Sequence, residues 1–207
     1  MPEQPPVQPK IRQATTAVVF NDMINHNLVS SNPEHQQIID ESNIVANSAA
    51  LVAEARKRGM RIIWVLIERR ADMADVVAPI TDVLIASNMD PGRPVTAGSD
   101  DARPPEALTS QPEDLKVYKV RYDAFIGTNL DLLLRGNGID TILLGGVATN
   151  FGVESTARTA RDHGYNVVVL TDCSLNVNLE AHEFTLKHIL PRFARIMSSE
   201  QALGLLE

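Results

Sequence analysis

The sequence is poor in cysteine and aromatic residues, and it has no long apolar run. Its one cysteine, Cys173, excludes an internal disulfide and a cysteine-based metal cluster. Aromatic residues make up only 4% of the chain, which predicts an aliphatic core. No apolar run approaches the ~18–20 residues that span a bilayer, and the N-terminal segment MPEQPPVQPK lacks the apolar region of a signal peptide. These absences predict a cytoplasmic protein with no membrane partner.

The net charge and the length of the chain limit its possible partners and its number of domains. The chain has 207 residues and a net charge of −7, which argues against nucleic acid or an anionic membrane as a partner. A chain of this length is expected to form one domain with a sizeable core. We predict a flexible, proline-rich arm at 1–14 and a single domain at 15–207.

Short apolar runs alternate with helical patterns along the chain. The runs predict six strands, at 15–20, 60–67, 115–120, 139–144, 166–170 and 193–197. The helical patterns predict a long helix from an Asn32–Pro33 cap to Gly59, a helix capped by Asn150, and helices at 129–135, 179–190 and 199–206. This alternation predicts an α/β fold, a three-layer α/β/α sandwich around a doubly wound, six-stranded parallel sheet.

The segment 68–114 interrupts this alternation. Prolines punctuate it, and only one short helix, near 80–86, is predicted within it. We interpret the segment as a long excursion over the sheet edge, of the kind that supplies a lid or a partner surface.

The stretch 145–158, GGVATNFGVESTAR, has the features of a ligand site. It follows an apolar strand and opens a helix, so several free backbone N–H groups gather at one point. In an open parallel sheet, ligands bind at such points. No Ser, Cys or Lys stands where the helix begins, and the position best placed for a nucleophile is Gly152.

Two charged residues are predicted at the same edge of the sheet. Asp22 follows the first strand and Lys119 ends the third. Taken singly, each has an ordinary explanation, a turn cap for Asp22 and a solvated charge for Lys119. Together they favour function, because a carboxylate and an ammonium in a partly dry pocket shift each other's proton affinity, as acid–base catalysis requires.

These stretches resemble the isochorismatase-like, or cysteine hydrolase, superfamily over roughly 16–203. The residues that carry the resemblance are VVFNDMIN around Asp22, YKVRYDAF around Lys119, and GGVATNFGVESTAR. The resemblance implies a cofactor-free hydrolase of small amides and ureas with an Asp–Lys–Cys triad, assembled as a homodimer or homotetramer. Asp22 and Lys119 match the first two positions of the triad, and Gly152 stands at the cysteine position. It also implies a cis peptide at Val147–Ala148 and an oxyanion hole at Ala148 and Gly152.

Gly152 excludes acyl-enzyme chemistry at this position and leaves three alternatives open. Isochorismatases of the superfamily also carry glycine here and hydrolyse a vinyl ether, with the aspartate protonating the enol carbon. The chain could instead belong to the amidase branch, with its cysteine lost or deliberately changed. It could also be a binding or regulatory relative without turnover.

Further residues are candidates for contact with a small polar or acidic substrate. Two charged residues follow strand two, where an arginine could hold a substrate carboxylate; two residues lie in the Lys119 motif, and two flank position 152. These candidates are Glu68, Arg69, Arg121, Tyr122, Asn150 and Phe151. Asp123 stands where relatives carry a serine, and it is expected to add a second negative charge near the site.

No metal is expected, and a substitute nucleophile is the last candidate. Some relatives hold zinc through histidines after strand two, but the segment IERRADMAD here has none. The five histidines show no converging ligand spacing, although His26 could line the pocket. Cys173 follows strand five at the active edge, but a lone buried thiol is the commoner role for such a residue.

Overall fold

The computed structural model describes residues 9–75 and 95–207. Within these ranges, no helix is both long enough and apolar enough to cross a membrane. The short helix expected near 80–86 lies outside the described residues.

A parallel sheet of six strands, counted over the described residues, forms the centre of the molecule. The strands are β1 Thr16–Asn21, β2 Arg61–Ile67, β3 Leu115–Lys119, β4 Thr141–Val147, β5 Asn166–Leu175 and β6 Arg195–Met197. Their order is β3-β2-β1-β4-β5-β6, and every neighbouring pair is parallel. This is the doubly wound order, with the topological switch point between β1 and β4.

Helices cover both faces of the sheet. They are α1 Asn25–Leu28, α2 Pro33–Ser42, α3 Ile44–Lys57, α4 Leu130–Gly136, α5 Glu154–Asp162, α6 Leu179–Phe184 and α7 Ser199–Gly204. Apolar residues of α1, α2, α3 and α7 form one buried cluster with Val18, Phe20 and Trp64. Those of α4 and α5 form a second cluster with Val19 and Val65 on the opposite face. The predicted three-layer sandwich is confirmed.

The long helix expected after Asn32–Pro33 is two helices. The Asn32 cap is confirmed, since its Oδ1 accepts the amide of Glu34 at 2.9 Å. The chain then breaks at Asn43, whose φ of +53° is left-handed. Asparagine tolerates this conformation, and the Ser42 hydroxyl accepts the amide of Ile44 that the break exposes.

Two other boundaries differ from the prediction. The helix expected to be capped by Asn150 begins earlier, after Ala148, with a π-helical turn Thr149–Val153 that continues into α5. Asn150 is therefore inside the turn and does not cap it. Similarly, α6 continues through a π-helical turn Thr185–Ile189.

Strand β5 is longer than predicted and includes Cys173. After an irregularity between Leu144 and Gly146, β4 and β5 pair again at Gly146 with Ser174. The expected end at residue 170 is wrong because this second pairing carries the strand on to Leu175.

Residues 9–14 correct the predicted flexible arm. Ile11 is 2% exposed, its amide donates to the Leu205 carbonyl, and its carbonyl accepts the amide of Glu207, both at 2.9 Å. This part of the chain is therefore fixed to the C-terminal residues, because the side chain of Ile11 is buried in the core.

Part of the excursion expected at 68–114 packs on the core, over the residues that the structure describes. Val95, Ala102 and Leu108 are buried in the same cluster as Phe20 and Trp64. Residues 95–108 therefore include side chains that pack on one face of the core.

A buried carboxylate ties α3 to the sheet. The Asp114 side chain is 2% exposed and accepts hydrogen bonds from Trp64 Nε1 and the Gln111 amide, each at 2.9 Å, and from the Arg56 guanidinium. Burial raises the pKa of Asp114, but these hydrogen bonds outweigh burial and hold the pKa below its usual value. The ionised carboxylate therefore stabilises the fold.

We predict that Asp114→Ala lowers the free energy of unfolding at pH 7 by about 2–4 kcal/mol, because buried donors lose their partner. Since the folded-state pKa is depressed, this contribution is present above pH ~4 and is lost as the pH falls through the folded-state value. Urea denaturation at pH 7 and pH 3 should show a smaller difference from wild type at pH 3. The control Asp40→Ala, which removes an exposed acceptor of Gln36, should cost under about 0.5 kcal/mol. Equal losses in both variants would contradict this role of Asp114.

Candidate active site

Asp22 lies just beyond β1, where its backbone turns out of the strand. Its φ is +51°, a left-handed value that aspartate tolerates better than most residues. Its amide donates to the Val65 carbonyl at 2.8 Å, and its Oδ1 accepts the Ile67 amide at 2.8 Å. The backbone of β2 thus holds this carboxyl group at the carboxyl edge of the sheet, where its side chain is 9% exposed.

Lys119, the last residue of β3, supplies the second charge. Because β2 lies between β3 and β1, the lysine side chain reaches across a backbone separation of roughly 10 Å. Its Nζ donates to Asp22 Oδ2 at 2.5 Å, to the Arg121 carbonyl at 2.9 Å and to the Tyr122 carbonyl at 3.1 Å. These acceptors match the three donors of an ammonium group. With its side chain 1% exposed, Lys119 is held as a fixed cation.

Burial dominates the proton affinity of Asp22. It raises the pKa of this carboxyl above its usual value. Three neighbours act in the opposite direction and lower the pKa: Lys119 through its charge and hydrogen bond, the Ile67 amide through its hydrogen bond, and Arg69 through its charge. A carboxyl group of this kind keeps its proton at a higher pH than an exposed aspartate, and can donate it to a bound molecule.

Two glycines at the end of β4 are required by close packing. A Cβ at Gly146 would lie 2.2 Å from the Asn21 carbonyl oxygen, and one at Gly145 would lie 2.6 Å from the Cys173 carbonyl oxygen. The neighbouring strands β1 and β5 leave no room for side chains here.

Gly152 is not required in this way. A Cβ at this position would lie 3.3 Å from the Tyr122 carbonyl oxygen, 3.6 Å from Asn21 Nδ2 and 3.8 Å from Asp22 Oδ2. Only the first contact is tight, and Gly152 does not have a left-handed φ. A side chain at 152 would fit with a small adjustment and would face the carboxyl group of Asp22.

The turn Thr149–Val153 presents its backbone at this point. It follows a cis peptide bond between Val147 and Ala148. The Ala148 carbonyl accepts the amides of Phe151 at 3.1 Å and Val153 at 3.3 Å, and it bypasses the amide of Gly152. The turn is therefore a point where the regular helical bonding pattern is shifted.

Asn21 holds the turn from the side of β1, and it is a residue that the sequence interpretation missed. Its Nδ2 donates to the Gly152 carbonyl at 2.8 Å and to Thr156 Oγ1 at 2.7 Å. The only signal for it in the sequence is its place beside Asp22.

Two of the predicted contact residues form an exposed aromatic rim. The rings of Tyr122 and Phe151 stack with centroids 5.5 Å apart and an interplanar angle of 23°. They extend from the two loops that carry the Lys119 acceptors and Gly152. Arg121 contributes its carbonyl to Lys119, while its Nη1 donates to the Val120 carbonyl at 3.0 Å.

Glu68 and Arg69 follow β2 at the same edge. The charge of Arg69 lowers the pKa of Asp22, and its Nε is buried with no hydrogen-bond partner among the described residues. The amide of Glu68 donates to the Lys119 carbonyl at 3.3 Å. Burial raises the pKa of the Glu68 carboxyl, against the opposing charge of Lys116.

The side chains of Asn150 and Asp123 form hydrogen bonds with residues other than Asp22 and Lys119. Asn150 Oδ1 accepts a hydrogen bond from Asn176 Nδ2, and Asn150 lines a separate cavity of about 450 Å³ beside α6. Asp123 Oδ1 accepts the Phe125 amide at 2.7 Å, and its Oδ2 accepts the Thr159 hydroxyl. The Asp123 carboxylate is thus bound by its own loop and by α5, and the expected second negative charge near the site stays a prediction.

Cys173 is not a substitute nucleophile. It lies within β5, is fully buried, and packs in the apolar cluster beneath α3 and α7. Burial, together with the nearby charge of Asp172, raises the pKa of this thiol to about 12.

The histidines have local roles in the structure. The His26 amide donates to the Asp101 carbonyl at 3.1 Å. His182 Nδ1 lies 2.8 Å from Thr149 Oγ1, a contact to the turn that the sequence interpretation missed. Over residues 9–75 and 95–207, no three His, Cys, Asp or Glu side chains group as metal ligands.

Together these features define a doubly wound α/β protein with an acid–ammonium pair beside a strand-to-helix turn, at the switch point of its sheet. The sequence model of the Isochorismatase domain matches residues 16–201. The chain belongs to the isochorismatase family and is a hydrolase of that family.

Relatives and solved structures support this assignment over nearly the whole chain. The uncharacterized isochorismatase family protein YecD of Escherichia coli O157:H7 is 34% identical over 197 residues, which are 95% of this chain and 99% of YecD. The ureidoacrylate amidohydrolase RutB of Methylobacterium radiotolerans is 31% identical over 78% of this chain and 67% of RutB. An isochorismatase family protein from Burkholderia thailandensis has a solved structure that is 33% identical, with a TM-score of 0.80 over 95% of this chain and 97% of that one.

We predict that Lys119→Met lowers the free energy of unfolding at pH 7.5 by about 2–4 kcal/mol, because it leaves a buried carboxyl without its cation. Without Lys119, burial raises the pKa of Asp22 against only the hydrogen bond from the Ile67 amide and the charge of Arg69. A carboxyl with a raised folded-state pKa loses stability as the pH rises from the unfolded-state value of ~3.9. The difference from wild type should therefore grow between pH 4.5 and pH 7.5 in urea denaturation.

Lys116→Met is the matched control, since Lys116 is exposed on the same strand. It should change stability by under about 0.5 kcal/mol at every pH. A loss in Lys119→Met that does not vary with pH would show that Lys119 does not control the protonation of Asp22.

Proposed function

We propose that this hydrolase acts on a small acidic molecule by proton transfer from Asp22 and addition of water, without a covalent intermediate. The observation that carries the proposal is the position of Gly152. A side chain there would come within 3.8 Å of Asp22 Oδ2. Because glycine has none, a substrate atom or a water molecule can approach the carboxyl group directly.

A vinyl ether suits this arrangement, because its hydrolysis needs a proton on carbon and no nucleophilic side chain. The Asp22 carboxylic acid gives its proton to the terminal enol carbon. The electron pair of the C=C bond forms the new C–H bond and leaves an oxygen-stabilised cation. Water adds to this cation and returns a proton to the Asp22 carboxylate. The hemiketal then collapses to a ketone and an alcohol, so one water is consumed and the acid is regenerated.

Lys119 tunes this acid and does not attack the substrate. Its donors are already bonded to Asp22 and to the Arg121 and Tyr122 carbonyls. After proton transfer, the adjacent ammonium stabilises the Asp22 carboxylate. Since burial keeps the pKa of Asp22 raised despite this cation, the proton is available above the pH range of an ordinary aspartate.

C–N hydrolysis is the second bond type that this site would support. Ionised Asp22 would take a proton from water as the water adds to a carbonyl carbon, and would give it to the departing nitrogen when the tetrahedral intermediate collapses and the C–N bond breaks. The backbone amides of Ala148 and Gly152 are the candidate donors to the resulting oxyanion.

The groups around Asp22 support an acidic substrate with an apolar portion. The buried Arg69 Nε lacks a partner among the described residues, and a guanidinium is the group that binds a carboxylate in bidentate fashion. Glu68, beside it, could accept a hydrogen bond from a polar substrate group. The stacked rings of Tyr122 and Phe151 offer an apolar surface at the rim.

A cysteine amidase or ureidase without its nucleophile is the second candidate, and the space at Gly152 favours it. A cysteine Cβ would meet one contact at 3.3 Å and would face Asp22. The similar protein RutB is named as an amidohydrolase. A binding protein without turnover is the third candidate.

We predict that the wild-type protein hydrolyses a vinyl ether acid such as isochorismate, and that Asp22→Asn lowers the rate by about 10²–10⁴-fold. The rate should fall as the pH rises through the pKa of Asp22, because the acid form is lost. Product release, measured as a 2-oxo acid, tests this. Asp40→Asn, on the exposed side of α2, should leave the rate unchanged. Turnover that survives Asp22→Asn would rule out Asp22 as the acid.

We predict that Gly152→Cys gains amide or urea hydrolysis by at least about 100-fold if the amidase alternative is right. Ammonia release over a panel of ureido acids and amides, compared with wild type, tests this. Gly136→Cys is the control, because a Cβ at Gly136 meets open space outside the site. No gain in Gly152→Cys, together with wild-type turnover of the vinyl ether, would reject the amidase alternative. Inactivity of both proteins, with a ligand retained on purification, would support the binding alternative.

A further inference from the structure

The turn Thr149–Val153 is held from a side that the proposed mechanism does not use. Thr149 is fully buried, and its Oγ1 lies 2.8 Å from Nδ1 of His182 on α6. The next residue, Asn150, accepts a hydrogen bond at its Oδ1 from Asn176, just beyond β5. Two consecutive side chains at the start of the turn are thus fixed by one residue on α6 and one residue just beyond β5.

The residues that hold the turn are themselves held in place. Asn176 Oδ1 accepts the Asn178 amide at 2.8 Å. Asn178 Oδ1 accepts the Ala181 amide at 3.0 Å and so caps α6, the helix that carries His182. These local bonds fix the direction from which His182 and Asn176 reach the turn.

The other end of the turn has a different support. Asn21 binds the Gly152 carbonyl there and comes from β1, the strand that leads into Asp22. The turn therefore bridges two independent supports, one that also positions the acid and one that comes from β5 and α6. Because a misplacement of about 1 Å can cost about 100-fold in rate, both supports bear on the alignment of the turn with Asp22.

We propose that His182 and Asn176 are positioning residues that act through Thr149 and Asn150. They fix the start of the turn, so that its backbone at Gly152 keeps its place beside Asp22. This proposal rests on the proposed function, in which a substrate contacts backbone groups of the turn. It gives His182 a role in alignment, with no direct contact to the reacting atoms.

The test uses substitutions by apolar residues of similar size that remove one hydrogen-bonding group at a time. Thr149→Val removes the hydroxyl, His182→Phe removes the ring nitrogens, and the double variant combines them. Thr149→Ser keeps the hydroxyl and serves as the rescue. Thr141→Val is the matched control, since it removes a buried hydroxyl at the opposite end of β4, where Thr141 donates to Asp140 at 2.7 Å.

Steady-state kinetics are measured in the wild-type and Gly152→Cys backgrounds. We expect Thr149→Val and His182→Phe each to lower kcat by at least about tenfold with KM within about threefold. The double variant should be no worse than the more impaired single variant, because both changes break one contact. Thr149→Ser and Thr141→Val should stay within about threefold of the parent. A rise in KM without a fall in kcat, or additive losses in the double variant, would overturn the proposal.

Amide hydrogen exchange, followed by mass spectrometry, gives a readout that does not depend on the substrate. Exchange should rise in the peptide covering 149–153 for Thr149→Val and His182→Phe, and should stay at wild-type rates elsewhere and in Thr149→Ser. If neither background shows turnover, the proposed function fails, and the exchange pattern alone then decides whether the turn is held in this way. Unchanged exchange in the turn, or a rise throughout the molecule, would overturn the positioning role.

Discussion

The structure of the site depends on holding one carboxyl group and one ammonium group in contact away from water. Asp22 and Lys119 come from strands that β2 separates, so they meet only when the order β3-β2-β1 has formed. Desolvation of both groups opposes folding, and the apolar clusters on the two faces of the sheet have to offset it. Burial of this pair lowers the stability of the folded protein, and it provides a carboxyl group whose proton affinity is altered.

Much of the fold could be predicted because its strands are short apolar runs between helical patterns. β1 is buried along its whole length, which is why its sequence is continuously apolar up to Asn21. The break at Asn43 could not be predicted from apolar periodicity, since the same periodic pattern continues on both sides of it. The extension of β5 through Cys173 also escaped prediction, because it depends on pairing with β4 beyond an irregularity. Ile11 lies in a polar segment, and only its contacts with the distant C-terminal residues explain its burial.

The candidate site was partly predictable for a topological reason. In a parallel sheet the residues after each strand meet at one edge, so the sequence positions of Asp22 and Lys119 were sufficient to place them together. Their surroundings were not predictable, because two of the three acceptors of Lys119 are backbone carbonyls. The start of the turn is held by His182 and Asn176, which no local pattern connects to it. The hydrogen bonds of Asp123 to the Phe125 amide and the Thr159 hydroxyl were also not predictable, although the sequence places this charge beside the site.

The three glycines in and after β4 have different reasons for lacking a side chain. Gly145 and Gly146 are fixed by backbone atoms that approach within 3 Å of any Cβ, so these positions tell us about packing alone. No backbone atom approaches a Cβ at Gly152 so closely. The effect of having glycine at this position is therefore the open space that it leaves beside Asp22. The donors of Lys119 are already bonded within the protein, so under the proposed function a molecule bound next to Gly152 would meet the carboxyl group of Asp22 and not the ammonium group. Under that proposal, exchange of a proton with Asp22 is the interaction that this arrangement favours, and water takes the part that a thiol would otherwise play.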